Sequence, residues 1–142
     1  MGIVEGEEGI TQMRTLIVED DFTSRLLLQS FLSQYGECHI AVNGREAVEA
    51  FRAARENGQP YDLICMDIMM PEMDGQTAVK EIRALEEAGG TLSTDGTKII
   101  MTTALDDVKS VVESFQALCD AYVFKPIDRG MLLGRIRELN LL

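Results

Sequence analysis

The sequence predicts an α/β fold, a doubly wound parallel sheet of five strands with five helices. Three observations predict it. Short apolar runs alternate strictly with amphipathic helical patterns from Arg14 to the C-terminus. The runs are apolar at consecutive positions, as in strands covered on both faces. Four of the five end in polar or charged residues, and the carboxyl ends of such strands are where open sheets bind ligands. Parallel neighbours require crossover connections, which are right-handed and here helical.

Thr15 to Val18 is the first strand. Leu27, Leu28, Phe31, Leu32 and Tyr35 recur at helical spacing as the inner side of the first helix, which Gly36 ends. A brief strand spans His39 to Val42. Asn43, with Glu46 three residues on, has the pattern of an N-cap. The helix it opens buries Ala47, Val48, Phe51 and Ala54 until Asn57-Gly58-Gln59-Pro60 stops it. The third strand, Leu63 to Met66, runs into Asp67; Asp74 then caps a helix with Ala78, Val79, Ile82 and Leu85 inward. Gly89 to Thr97 is a surface loop, Lys98 to Thr102 the fourth strand. A helix with Val108, Val111, Val112, Phe115 and Leu118 inward, a strand from Ala121 to Phe124 and a helix burying Leu132, Leu133, Ile136 and Leu139 complete the alternation.

With 142 residues the chain holds one domain with a full core. A formal charge of −11, from 13 basic against 24 acidic residues, opposes direct binding to nucleic acid or to anionic membranes. Proteins or small ligands are the expected partners. Cys38, Cys65 and Cys119 are scattered, with no C-x-x-C pair, and read as core thiols in a reducing cytoplasm. Residues 1–12 carry three Glu and no apolar block, neither a signal peptide nor a membrane span. They are expected to be a flexible tail ahead of a domain at 13–142.

The strand ends carry the chemistry. Strand one finishes in Glu19-Asp20-Asp21, strand three in Asp67, strand four in Thr102-Thr103-Ala104 and strand five in Lys125-Pro126. Each has a local explanation, such as a helix cap or a solvated charge; their joint occurrence at one sheet edge argues for a site. Converging carboxylates repel one another and raise each other's pKa unless a cation balances them. Mg2+, which prefers oxygen ligands, answers that need, and no His or Cys cluster offers a softer alternative. A metal beside a carboxylate, with an ammonium and a hydroxyl opposite, supplies the parts for phosphoryl transfer onto that carboxylate. Asp67 is thus the candidate acceptor nucleophile.

The stretches "LIVEDD", "LICMDIMMPEMDG", "IIMTTAL" and "YVFKPI", in this order, resemble the receiver domain of two-component response regulators, the chemotaxis response regulator type, over about residues 14 to 142. The resemblance implies a flavodoxin-like sheet of order 2-1-3-4-5. It implies Asp67 as the phosphorylated residue, Asp20 as a direct Mg2+ ligand, Glu19 acting through water, and Met69 lending its backbone carbonyl. It further implies Thr103 and Lys125 as the hydroxyl and lysine of the site, Tyr122 as an aromatic switch residue, and a cis Lys125-Pro126 bond. The donor would be a sensor histidine kinase or a phosphotransfer protein. Output would run to a protein target or a second copy through residues 107–139. Asp21, as a third acid, the long 89–97 loop and the second hydroxyl of Thr102 depart from the family pattern.

Other readings lack parts. A phosphohydrolase of the haloacid dehalogenase type wants an acid where Met69 stands, and the nucleotide-binding glycine motifs are absent. A receiver fold that binds partners without phosphorylation is separated from the main reading by a phosphorylation assay. The apolar Met69 and Leu105 cannot orient an attacking water, so a long-lived acyl phosphate is expected. If the chain that ends just after the fifth helix is a whole protein, output is expected through docking to another protein; the alternative is a receiver that forms part of a hybrid kinase or multidomain regulator.

Overall fold

The computed structural model describes residues 12–92, 95–104 and 108–142. All of the predicted tail except Gln12 lies outside these residues, as does Leu105. The chain runs β1 (Thr15–Val18), α1 (Phe22–Leu32), a 3-10 turn (Ser33–Tyr35), β2 (Cys38–Ala41), α2 (Gly44–Glu56) and β3 (Leu63–Asp67). It continues with α3 (Gly75–Ala88), β4 (Lys98–Ala104), α4 (Val108–Gln116), β5 (Ala121–Lys125) and α5 (Arg129–Glu138). All neighbouring strands are parallel, in the order β2-β1-β3-β4-β5. This is the predicted flavodoxin-like order.

Two cores follow from strand alternation, since successive residues face opposite sides of a sheet. Leu16, Val18, Ile64, Met66, Ile99 and Met101 pack with Phe51 of α2 and with Val79 and Ile82 of α3. Ile17, Leu63, Cys65, Ile100 and Val123 pack with Leu28 and Leu32 of α1 and with Leu132, Leu133 and Ile136 of α5. Side-chain caps start four of the helices. Asp21, Asn43, Asp74 and Asp128 accept from the backbone N–H of Ser24, Glu46, Thr77 and Met131 at 2.8, 2.8, 2.8 and 2.9 Å. Each such cap contributes on the order of 1 kcal/mol.

Several expectations need correction. The polar residues at the sheet edge lie inside the strands rather than after them: β3 reaches Asp67, β4 reaches Ala104 and β5 reaches Lys125, because the parallel ladder continues through all three. Leu27 is exposed, so α1 buries Leu28 and Leu32 fully and Phe31 in part. Gly36, at φ 146°, ends the 3-10 turn rather than the helix itself.

The largest correction is at α4. Val108, Val112, Phe115 and Leu118 are exposed, Val108 by 65%. The helix instead seats Ser114, whose hydroxyl donates to the Ser110 carbonyl at 2.7 Å, with Ala117 buried in the following turn. Ser114 and Ala117 thus lie inward, and the larger apolar residues are left outside.

Polar groups are also buried where apolar ones were expected. Arg83 and Glu86 on α3 are both buried, next to the expected Val79 and Ile82. The Arg83 guanidinium donates to Glu86 at 2.7 Å, to Asp120 at 2.9 Å, to the Thr97 carbonyl at 2.8 Å and to the Leu118 carbonyl at 3.0 Å. It ties α3 to the start of β4 and to the α4–β5 turn.

Candidate functional site

Three parallel strands and one loop bring the site together. β1 ends at Val18 and delivers Glu19 and Asp20; β3 delivers Asp67, β4 delivers Thr102 and Thr103, and β5 delivers Lys125. Glu19 is fully buried, Asp67 is 4% exposed and Asp20 is exposed. One carboxylate oxygen from each of the three acids lies within 4.8 Å of the others. The Nζ of Lys125 stands 2.9 Å from Glu19 Oε1, an ion pair out of line for a hydrogen bond, and 3.3 Å from Asp67 Oδ1. The Lys125–Pro126 bond is cis.

The charges do not balance, with three acids against one ammonium. Burial pushes the Asp67 carboxyl up to about 7, Glu19 adds to the rise, and Lys125 offsets part of it. Burial alone would lower the Lys125 pKa, but Glu19 and Asp67 outweigh it and raise the value. The donors are hard oxygen atoms in a pocket short of positive charge, so the triad suits a hard divalent cation.

Sequence reasoning placed these residues correctly at one edge, and the structure assigns Asp21 a separate task. Its side chain caps α1, and the backbone bond from Ser24 holds its carboxyl below the ordinary range. Its own N–H donates to Glu19 Oε2 at 3.1 Å. Thr103 is buried with an unpartnered hydroxyl. Alternation puts it on the face of Met101, whose register partner is Tyr122. Tyr122 is half-buried, edge-on to Phe115 and Phe124. Met69 is 72% exposed at the end of the β3 edge.

Two supports escaped sequence reasoning. Arg25 donates to the Glu19 carbonyl at 3.0 Å, pinning the acidic loop from the first turn of α1. Its spacing from the acidic pair, one helical turn past the cap, is the signal that could have flagged it. Gln76 donates to the Ser110 carbonyl at 3.1 Å and links α3 to α4; nothing in the local pattern announces it.

Gly75 explains how close α3 comes to Asp67. Its N–H donates to the Ile68 carbonyl at 2.9 Å, and a Cβ there would lie 2.3 Å from the Asp67 carbonyl oxygen. Gly75→Ala is therefore expected to destabilise the fold by about 1–3 kcal/mol, through backbone displacement at Asp67. Urea denaturation measures it, and an unchanged midpoint would contradict the close packing.

The chain is 34% identical over 137 residues to the probable transcriptional regulator ycf27 of Cyanidium caldarium, covering 96% of this chain and 49% of that one. It thus spans about half the length of that relative. Among solved structures, the receiver domain of the Arabidopsis thaliana histidine kinase CKI1 complexed with Mg2+ and BeF3− is 32% identical, with TM-score 0.76 over 92% of this chain and 91% of that one. The co-crystal of the Saccharomyces cerevisiae phosphotransfer protein Ypd1 with the receiver domain of its response regulator Ssk1 gives 28% identity and TM-score 0.78, over 93% and 91%. The family model described as the response regulator receiver domain matches residues 15–137. Carboxylates crowded around a lysine at the sheet edge are what such a module needs, and the chain belongs to the response regulator receiver domains, phospho-accepting signalling modules of two-component systems rather than enzymes in the ordinary sense.

Proposed function

We propose that Asp67 accepts a phosphoryl group from a phosphohistidine of a sensor histidine kinase or phosphotransfer protein, with Mg2+ held by Glu19, Asp20, Asp67 and the backbone carbonyl of Met69. The observation that carries this reading is the Asp67 carboxylate, almost fully buried between Glu19 and Lys125, with an oxygen within 4.8 Å of one on the exposed Asp20. Asp67 attacks phosphorus in line, a P–O bond forms, the P–N bond breaks and the imidazole leaves with the electron pair. Lys125 balances charge on the transferred oxygens, and the Thr103 hydroxyl donates to one of them. When bound, Mg2+ offsets the negative charge of the acids and of the phosphoryl oxygens.

Residues 13–142 act as the receiver unit in this reading, with 1–12 outside it, in a cytoplasmic setting. Among the described residues no helix is long and apolar enough to cross a membrane. A downstream protein or a second copy docks on the face formed by residues 107–139, and neither nucleic acid nor membrane is a direct partner. The apolar stripe of Val108, Val112 and Phe115, exposed on α4, supports that face.

Mg2+ binding is expected to raise the melting temperature, and Asp20→Ala to abolish the rise. The pH dependence has a definite sign. Asp67 sits near 7 when folded against an ordinary 3.8, so the metal-free fold loses stability as pH rises between those values. The Mg2+-dependent gain is then largest above pH 7 and shrinks below it, where a proton on Asp67 competes. A melt indifferent to Mg2+ at pH 8 would remove the metal from the reading.

The acyl phosphate is expected to be long-lived. Met69 carries no group that can orient water, so Met69→Asn should accelerate loss of phosphate severalfold, toward the 10²-fold that a positioned base or acceptor contributes. Single-turnover decay of the labelled protein measures it; equal or slower decay refutes the role of Met69.

A further inference from the structure

We propose that Thr102 is a positioning residue of the acceptor site, whose buried hydroxyl donates to the Asp67 carboxylate and holds it for attack; the proposal rests on Asp67 being the phosphoryl acceptor. Thr102 is 0% exposed, and its Oγ1 has no hydrogen-bond partner. A desolvated hydroxyl without a partner costs stability, and a valine of nearly the same shape would avoid that cost. The orphaned hydroxyl points to a partner reached in a state of the site other than the resting one.

Register identifies that partner. Thr102 is paired with Asp67 on β3 and with Val123 on β5. Two residues earlier on the same strands, Cys65 and Ile100 are also register partners, and both pack in the core under α1 and α5. Alternation puts Asp67 and Thr102 on that same face, as it does Val123 and Lys125. Adjacent strands stand about 4.8 Å apart, so a hydroxyl and a carboxylate that both extend from Cβ meet on rotation of one side chain. Thr103 belongs to the opposite face, with Met101 and Tyr122.

The two hydroxyls therefore have different tasks. Thr103 reaches the transferred group over the strand end and reports it to the Tyr122 side. Thr102 addresses Asp67 from beside it in the sheet. Lys125 lies 3.3 Å from Oδ1 of Asp67. With the Thr102 hydroxyl on the sheet-facing side, rotation of the carboxylate is restricted and an oxygen stays aimed out of the pocket toward the donor. Reactivity then gains from orientation, without any change in donor binding.

Thr102→Val and Thr102→Ser are compared with the parent by thermal melting without Mg2+, by acetyl phosphate labelling over a range of donor concentrations, and by the 13Cγ resonance of Asp67 with Mg2+ bound. The Val variant is expected to melt at or above the parent temperature, because the unpaired hydroxyl is gone. It should label about tenfold more slowly at high donor, the rate equivalent of one hydrogen bond to a charged group, with the half-saturating concentration unchanged. Its Asp67 13Cγ resonance should move, and Ser should restore both rate and resonance. A Val variant with parent-like rate and an unmoved resonance overturns the proposal. If the parent itself takes no label, the acceptor reading fails, and the resonance comparison still decides whether Thr102 bonds Asp67.

Discussion

Asp67→Asn is expected to take up no phosphoryl group from acetyl phosphate, where the parent gains one per chain in the presence of Mg2+. The amide keeps the size of the side chain but lacks the anionic nucleophile, so loss is complete rather than partial. Asn at this position also removes one charge from a pocket that holds more negative charge than Lys125 balances. The variant should therefore be at least as stable as the metal-free parent at pH 8, and a folding defect cannot account for lost labelling. Lys125→Met tests the other half of the site. The acceptor remains, while the ammonium near Glu19 and Asp67 is gone, and labelling should fall by roughly a hundredfold, the scale of one lost charge-stabilising contact. Intact-mass analysis reads all three proteins, and label persisting in Asp67→Asn would place the acceptor elsewhere.

Thr103→Ala is expected to leave labelling at Asp67 detectable while disconnecting it from the α4–β5 side. In the resting structure the Thr103 hydroxyl has no partner, so a phosphoryl oxygen at Asp67 offers a bond with none lost in exchange. Drawing Thr103 inward frees space beside Tyr122, whose ring now lies edge-on to Phe115 of α4 and Phe124 of β5. A charge-assisted hydrogen bond biases such a two-packing element by about tenfold or more. Amide NMR signals of α4, β5 and α5 should therefore move on phosphorylation of the parent, far more than those of α2. In Thr103→Ala these shifts should largely vanish at equal labelling. Shifts confined to the loops around Asp67 in the parent would mean that output leaves by another face.

Much of this was legible in the residues because parallel α/β folds write their layout locally. Consecutive apolar runs announce strands covered on both sides, and Asn43 and Asp74 mark helix starts through short-range bonds from backbone N–H to their side chains. The acidic pair, Asp67 and Lys125 could be grouped before any coordinates, since topology alone sends the carboxyl ends of parallel strands to one edge.

What the sequence determined by itself is thus the strand and helix order, the edge that carries chemistry and the identity of the groups there. Only the tertiary structure decided which side of α4 is buried, because Val108, Val112 and Phe115 recur at the same helical spacing as Ser110, Ser114 and Ala117, and it is Ser114 and Ala117 that go inside. It also decided that Arg83 and Glu86 go inside, since their partners Thr97, Leu118 and Asp120 are brought to them by other elements. Register decided which threonine stands beside Asp67. Thr102 and Thr103 are adjacent in the chain, but alternation sends them to opposite faces, and pairing with β3 gives Asp67 to Thr102.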